Sequence, residues 1–272
     1  MYNKIIIVVL VIVSIVFLLT YIEPLTKCKK EGFNSKKNYL DGVDVIYWIN
    51  LDRSTDRRQH MEAMFQDPVF YNGGKGIPII RIKAVDGKAS NIDEILNANF
   101  EGMQPDKFTK VEYACTLSHL NTIKIFSESK YKTALIMEDD MTLELKPYWK
   151  KSVKQIMENA PSDWENIQLC YMVFNTKPKK LYTKNTGNYY SNGAYIINQN
   201  GAKKILNYSN KHILNPLIKH PADDYVINSL ITYTYKYPMF IYGYNEQSTI
   251  HQDHINGHDL SKKNILKNIF KI

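Results

Sequence analysis

YKTALIMEDDMTLE, residues 131–144, carries an unbroken apolar segment, Thr133 to Met137, straight into three carboxylates, Glu138, Asp139 and Asp140. A short apolar run without polar alternation reads as a strand buried on both faces. Three acids in succession repel one another and raise each other's pKa unless a cation or donors compensate. An open α/β sheet places its ligands at the C-terminal ends of its strands, which is where this cluster falls. Oxygen ligands of this kind suit Mg²⁺ or Mn²⁺, with substrate phosphates completing the shell. A solvated acidic turn is the plain alternative, so the rest of the chain has to decide.

Upstream, Val43–Leu51 (VDVIYWINL) reads as a first core strand running into Asp52-Arg53-Ser54-Thr55-Asp56-Arg57-Arg58 and a helix marked by Met61, Met64 and Phe65. Three of the four arginines fall in those six residues, Arg53 to Arg58. Helix starts bind anions through free N–H groups, and guanidinium adds bidentate contacts to phosphate. Ile77–Val85 reads as the second strand, closed by Asp86-Gly87. Helical spacing marks Ser90–Phe100 and Glu112–Ser127, the latter holding Ser118 and His119.

Downstream, the pattern predicts a surface helix over Pro147–Asn159, a strand over Trp164–Val173 and a basic loop over Lys177–Asn188. A strand follows at Ser191–Asn198, opened by Asn192-Gly193, then a helix over Gln199–Asn207. The last elements are a helix over Pro221–Thr234 with Asp223 and Asp224 in its first turn, and a strand over Tyr237–Tyr244. Beyond it lie His251, His254 and His258, with His251 as a further ligand candidate. Strands alternating with helices predict an α/β domain with a mostly parallel sheet over residues 43–260.

The chain has 272 residues, three cysteines and a formal charge of +8. Its lysines are spread through a chain rich in Asn, Ile and Tyr, which argues against a nucleic-acid surface and for anionic ligands in general. Ile5 to Ile22 is almost continuously apolar and just long enough to span a bilayer, so residues 1–22 read as an uncleaved signal anchor. Residues 23–42 form a polar stalk, and 261–272 a basic amphipathic tail that packs on the domain or lies on an anionic membrane. Lys27, Lys29 and Lys30 after the span favour a cytosolic body, whereas a long domain behind a single anchor favours a lumenal (ER/Golgi) one. Membrane attachment is therefore expected with either orientation.

Five blocks together resemble glycosyltransferase family 25, which includes lipooligosaccharide and procollagen galactosyltransferases. They are VIYWINLDRSTDRR (45–58), IKAVDG (82–87), EYACTLSHL (112–120), ALIMEDD (134–140) and NGAYIINQNGAKKIL (192–206), with a weaker sixth in ADDYV (222–226). Tyr113-Ala114 departs from the Ile-Gly usual in the family, at positions without chemistry. The resemblance implies a glycosyltransferase A-type, Rossmann-like fold and inverting transfer of a hexose, galactose or glucose, from a UDP-sugar. The acceptor would be a hydroxyl of a glycan or a protein, hydroxylysine included, and the setting lipopolysaccharide or protein glycosylation.

In that scheme Asn50, Leu51, Asp52, Arg53, Arg57, Arg58 and Asp139 hold the nucleotide and its phosphates. Glu138, Asp140 and His251 hold Mn²⁺ or Mg²⁺, and Ser118, His119, Asn192 and Gly193 line the sugar pocket. Asp223 or Asp224 deprotonates the acceptor. Helix phase puts Asp223 nearer the centre of the buried stripe, and the helix N-terminus is expected to keep it ionised. A catalytically inactive, membrane-tethered sugar-nucleotide or glycan binder on the same fold is the rival reading.

Overall fold

The computed structural model describes residues 38–72, 75–174, 177–207, 211–215, 217, 219, 221–243 and 255–271. The expected anchor, most of the stalk, and His251 lie outside the described residues. Among the described residues, no helix is long and apolar enough to cross a membrane.

Seven strands form the main sheet: β1 (Val45–Asn50), β2 (Ile79–Lys83), β3 (Thr133–Glu138), β4 (Asn166–Gln168), β5 (Tyr182–Lys184), β6 (Ala194–Asn198) and β7 (Thr232–Tyr235). Their spatial order is β2-β1-β3-β6-β4-β7-β5. β1 pairs in parallel with β2 on one side and β3 on the other. β6 then runs antiparallel to both β3 and β4. β7 is parallel to β4 and antiparallel to the edge strand β5. The sheet is mixed, with only β6 and β5 opposing the common direction.

Every residue of β1 is buried, because side chains alternate between two apolar layers. Val45, Tyr47 and Ile49 enter one core, with Ala134 and Ile136 of β3 and Tyr195 and Ile197 of β6. Ile46, Trp48, Leu135, Met137 and Ile196 enter the other. The first core is covered by α2 (Ile92–Asn99), α3 (Lys110–Ser127), α5 (Gln199–Ile205) and α6 (Pro221–Ser229). The second is covered by α1 (Thr55–Met64), α4 (Val153–Glu158) and α7 (Ile255–Ile265). α3 is the main buttress: Thr109 and Glu112 close a capping box at its start, and it packs against α2, α5 and α6.

Several elements differ from the sequence reading. The helix expected over Pro221–Thr234 stops at Ser229, and Thr232–Tyr235 is a strand. TYTY alternates β-branched and aromatic residues, and all four are buried in the sheet. The stretch read as a loop over Lys177–Asn188 contains the edge strand β5. The strand read over Trp164–Val173 is confined to Asn166–Gln168. Of the strand read over Tyr237–Tyr244, only Ile241–Tyr242 is a strand among the described residues, paired with Met141–Thr142 beyond the acid cluster. At the C-terminus, Ile265 of α7 and Ile269 of the following π-turn are buried in the second core.

Candidate active site

β1 and β3 end side by side, with Ile49 in register with Glu138, and the chain beyond each end frames a cleft of about 480 Å³. Leu51, Arg53, Arg57, Cys115, Ser118, His119, Glu138, Asp139, Asp140 and Asp223 all line it. Glycine is required at its rim: a Cβ on Gly87 would lie 2.5 Å from the Cα of Val111, where α3 crosses the turn after β2.

The acid cluster carries its own cation. Arg57, buried in the first turns of α1, donates Nη1–H to Asp139 Oδ1 at 2.7 Å and to Asp140 Oδ2 at 3.2 Å. Asn50 donates to the other Asp139 oxygen at 2.6 Å and to the Ser54 carbonyl at 3.2 Å, tying the acid turn to the start of α1. Asp139 is thus held from both sides. Asp140 is not: its Oδ1 is buried and finds no hydrogen-bond partner among the described residues. Burial, helped by the charges of Glu138 and Asp139 and opposed by Arg57, pushes its carboxyl up to about 7.

Asp223 and Asp224 point differently. Asp223 lines the cleft, and its Oδ2 accepts the Ser191 N–H at 3.0 Å. Ser191 holds that amide in place from a left-handed backbone, φ 112°, which is strained for a residue with a side chain. Its own hydroxyl is fixed by Tyr242 Oη at 2.5 Å and by the Gly193 N–H at 2.9 Å. The expectation that the helix N-terminus keeps Asp223 ionised is corrected here. Burial, with the nearby Glu138 charge, outweighs the backbone donors of Ser191 and Asn192 and lifts its carboxyl to about 7. Asp224 is buried, accepts the Lys219 N–H, and does not line the cleft. Asp224 is thus the less exposed of the two, while Asp223 faces the cleft at the strand ends, as the helix phase suggested.

The remaining candidates separate into those at the cleft and those beside it. Arg53 is at the rim, ion-paired with Asp86 at 2.9 Å. Arg58 is exposed on the far side of α1 and pairs with Glu62. Asp52 pairs with Arg81 and Lys83 on the surface, outside the cleft lining. Asn50 is buried behind the cleft and acts on Asp139. Ser118 lines the cleft, yet its hydroxyl donates to the Ala114 carbonyl and accepts the Val85 N–H. His119 is fully buried between Tyr195 Oη and Glu138 Oε1, each at 3.1 Å. Asn192 and Gly193, expected to line the sugar pocket, are buried and do not line the cleft. Asn192 donates to the Ala222 carbonyl, and a Cβ on Gly193 would lie 2.6 Å from the Met141 methyl.

Sequence reasoning missed Cys115, Tyr242, Phe174 and His258, which complete the wall. Cys115 carried a readable signal, since it stands four residues before His119 on one helical face. Tyr242 and His258, stacked at 4.6 Å, carried none, because their meeting depends on the C-terminal segment folding back.

Residues 43–226 match the family model described as glycosyltransferase family 25 (LPS biosynthesis protein). Procollagen galactosyltransferase 2 of Homo sapiens is 29% identical over 182 residues, 61% of this chain and 28% of that protein. Procollagen galactosyltransferase 1 of Danio rerio is 26% identical over 209 residues, 68% of this chain and 33% of that protein. The chain thus spans about a third or less of the length of these curated relatives. A solved glycosyltransferase involved in glycosylation of the major capsid of PBCV-1 superposes with a TM-score of 0.34 at 6% identity, covering 70% of this chain and 92% of that one. The match to the family model takes in the acid turn, the arginine-bearing helix start and the first turn of α6, and by it the chain belongs to glycosyltransferase family 25.

Proposed function

We propose that the chain is an inverting hexosyltransferase of glycosyltransferase A-type architecture, moving galactose or glucose from a UDP-sugar to a hydroxyl of a glycan or protein, hydroxylysine among the candidates. Tethering to a membrane through residues 1–22 is part of the same proposal. The observation that carries it is one cleft holding both the acid turn, Glu138 to Asp140, and a separate carboxyl, Asp223, that titrates near neutrality. A transferase needs a charged end for the leaving diphosphate and a base for the incoming hydroxyl.

A hard divalent cation fits the first end. Asp140 has a buried oxygen without a partner among the described residues, and Glu138 adds a second carboxylate at the cleft. Mn²⁺ or Mg²⁺ held by these two residues would offset the charge developing on the leaving diphosphate. Asn50 and Arg57 keep the acid turn in place, and Arg53 at the rim can turn from Asp86 to the diphosphate. Asp223 takes the acceptor's proton as its oxygen bonds to the anomeric carbon and the bond to the phosphate oxygen breaks. A carboxylate whose proton affinity is raised to about 7 is a stronger base than an ordinary aspartate and still ionised in useful fraction at neutral pH. The Ser191 amide holds the carboxylate in place for that transfer.

The test is UDP release from a panel of UDP-hexoses with Mn²⁺, with and without hydroxylated acceptors. Release that depends on acceptor and stops in excess chelator is expected. Release indifferent to acceptor would indicate hydrolysis, and tight UDP-sugar binding without release would favour the non-catalytic binder.

A further inference from the structure

Cys115 and His119 stand one turn apart on α3, and Glu138 ends the neighbouring strand β3. The Cys115 sulfur, a ring nitrogen of His119 and a carboxylate oxygen of Glu138 lie within 4.8 Å of one another. We propose that these three side chains form a site for a borderline-soft divalent cation of the Zn²⁺ class, distinct in donor chemistry from the hard-cation position at Asp140.

Donor type carries the distinction. Thiolate and imidazole select zinc-like ions, whereas Mg²⁺ and Mn²⁺ favour oxygen. Tetrahedral zinc bonds of about 2.0–2.3 Å place ligand atoms roughly 3.3–3.6 Å apart. His119 Nε2 and Glu138 Oε1 are already 3.1 Å apart, so only a small shift of the flexible, quarter-exposed Glu138 and of the Cys115 sulfur is required. Cation binding requires the Cys115 thiolate and an Nε2 free of its proton, so the thiol proton is displaced and released to solvent.

The imidazole is already oriented for this. His119 Nδ1 lies 3.1 Å from Tyr195 Oη, so Nδ1–H can donate there while Nε2 turns its lone pair to the metal. Three protein ligands leave a fourth position, and Cys115, His119 and Glu138 all border the cleft. An occupied site would engage Glu138 and narrow the pocket beside the acid turn, which makes it a means of switching the cleft off. Cys170, the other thiol among the described residues, is buried and accepts from the Ser191 hydroxyl, so it serves as a control.

The experiment is Co²⁺ titration of the full chain, followed by its thiolate-to-cobalt charge-transfer absorption. This readout does not depend on whether the chain transfers a sugar. The band is expected in the unmutated protein and in Cys170→Ser, displaced by Zn²⁺ but not by excess Mg²⁺. In Cys115→Ser it should vanish, with Zn²⁺ affinity about tenfold or more weaker. Absence of the band, or its survival in Cys115→Ser, would overturn the proposal. As a check free of mutation, Zn²⁺ should slow alkylation of Cys115, mapped by mass spectrometry, whereas Mg²⁺ should not; equal alkylation with and without Zn²⁺ would count against the site.

Discussion

An aspartate carboxyl gives up its proton near pH 4 in water, whereas Asp223 holds its own to about 7 because burial disfavours the charge. The folded chain therefore binds one more proton than the unfolded chain between those values. Its stability falls as pH climbs through that window, and above 7 it carries the cost of a buried charge. Two outcomes follow for Asp223→Asn. Transfer should drop by about 10²-fold or more, the general-base scale, with UDP affinity little changed. Thermal stability should rise at pH 8, by up to about 4 kcal/mol (about three pKa units at ~1.4 kcal/mol each), and change little at pH 4. In the unmutated protein, kcat/KM should climb with pH through about 7 as the base ionises. A flat profile, or a destabilised mutant at pH 8, would remove Asp223 from the role. Asp224→Asn belongs to a different category, since its carboxylate accepts a backbone N–H in a buried setting and its loss should register in folding.

At the scale of elements, α1 and the acid turn are one unit, because Arg57 and Asn50 bind them together. Arg57→Met leaves Asp139 and Asp140 buried beside each other without their cation, a loss of about 3–5 kcal/mol. Arg58→Met should leave the midpoint nearly unchanged, since its pair with Glu62 is exposed. Denaturant titration of the two variants separates these roles, and equal midpoints would contradict the arrangement. The acid turn and the arginine-bearing helix start were legible in sequence because each is a local pattern: an apolar run ended by charges, and a strand–turn–helix boundary. That Arg57 faces Asp139 rather than solvent was not legible, since 82 residues separate them. β7 was hidden for a related reason, because TYTY follows a helix without a Gly or Pro stop and only the pairing with β4 and β5 makes it a strand. Cleft walls drawn from the turn before β6, from α6 and from the C-terminal segment depend on the order of strands in the sheet, which periodicity does not encode.

At the scale of the molecule, the buried apolar residues of both cores begin, among the described residues, at Leu40. With residues 1–22 as the proposed tether, a chain lacking Met1–Lys30 should fold, remain in the supernatant on ultracentrifugation and keep its activity. Sedimentation of that truncated chain with membranes would move the membrane-binding role to the basic residues near the C-terminus. The central strand has a further consequence. β1 finds one partner at residues 79–83, but its other edge waits for residues 133–138, and β3 in turn waits for β6 at 194–198. During synthesis this strand, buried along its whole length, thus emerges long before its second neighbour exists. At a ribosomal rate of about 5–20 residues per second, that open edge persists for several seconds, long enough to recruit a chaperone or a second nascent chain.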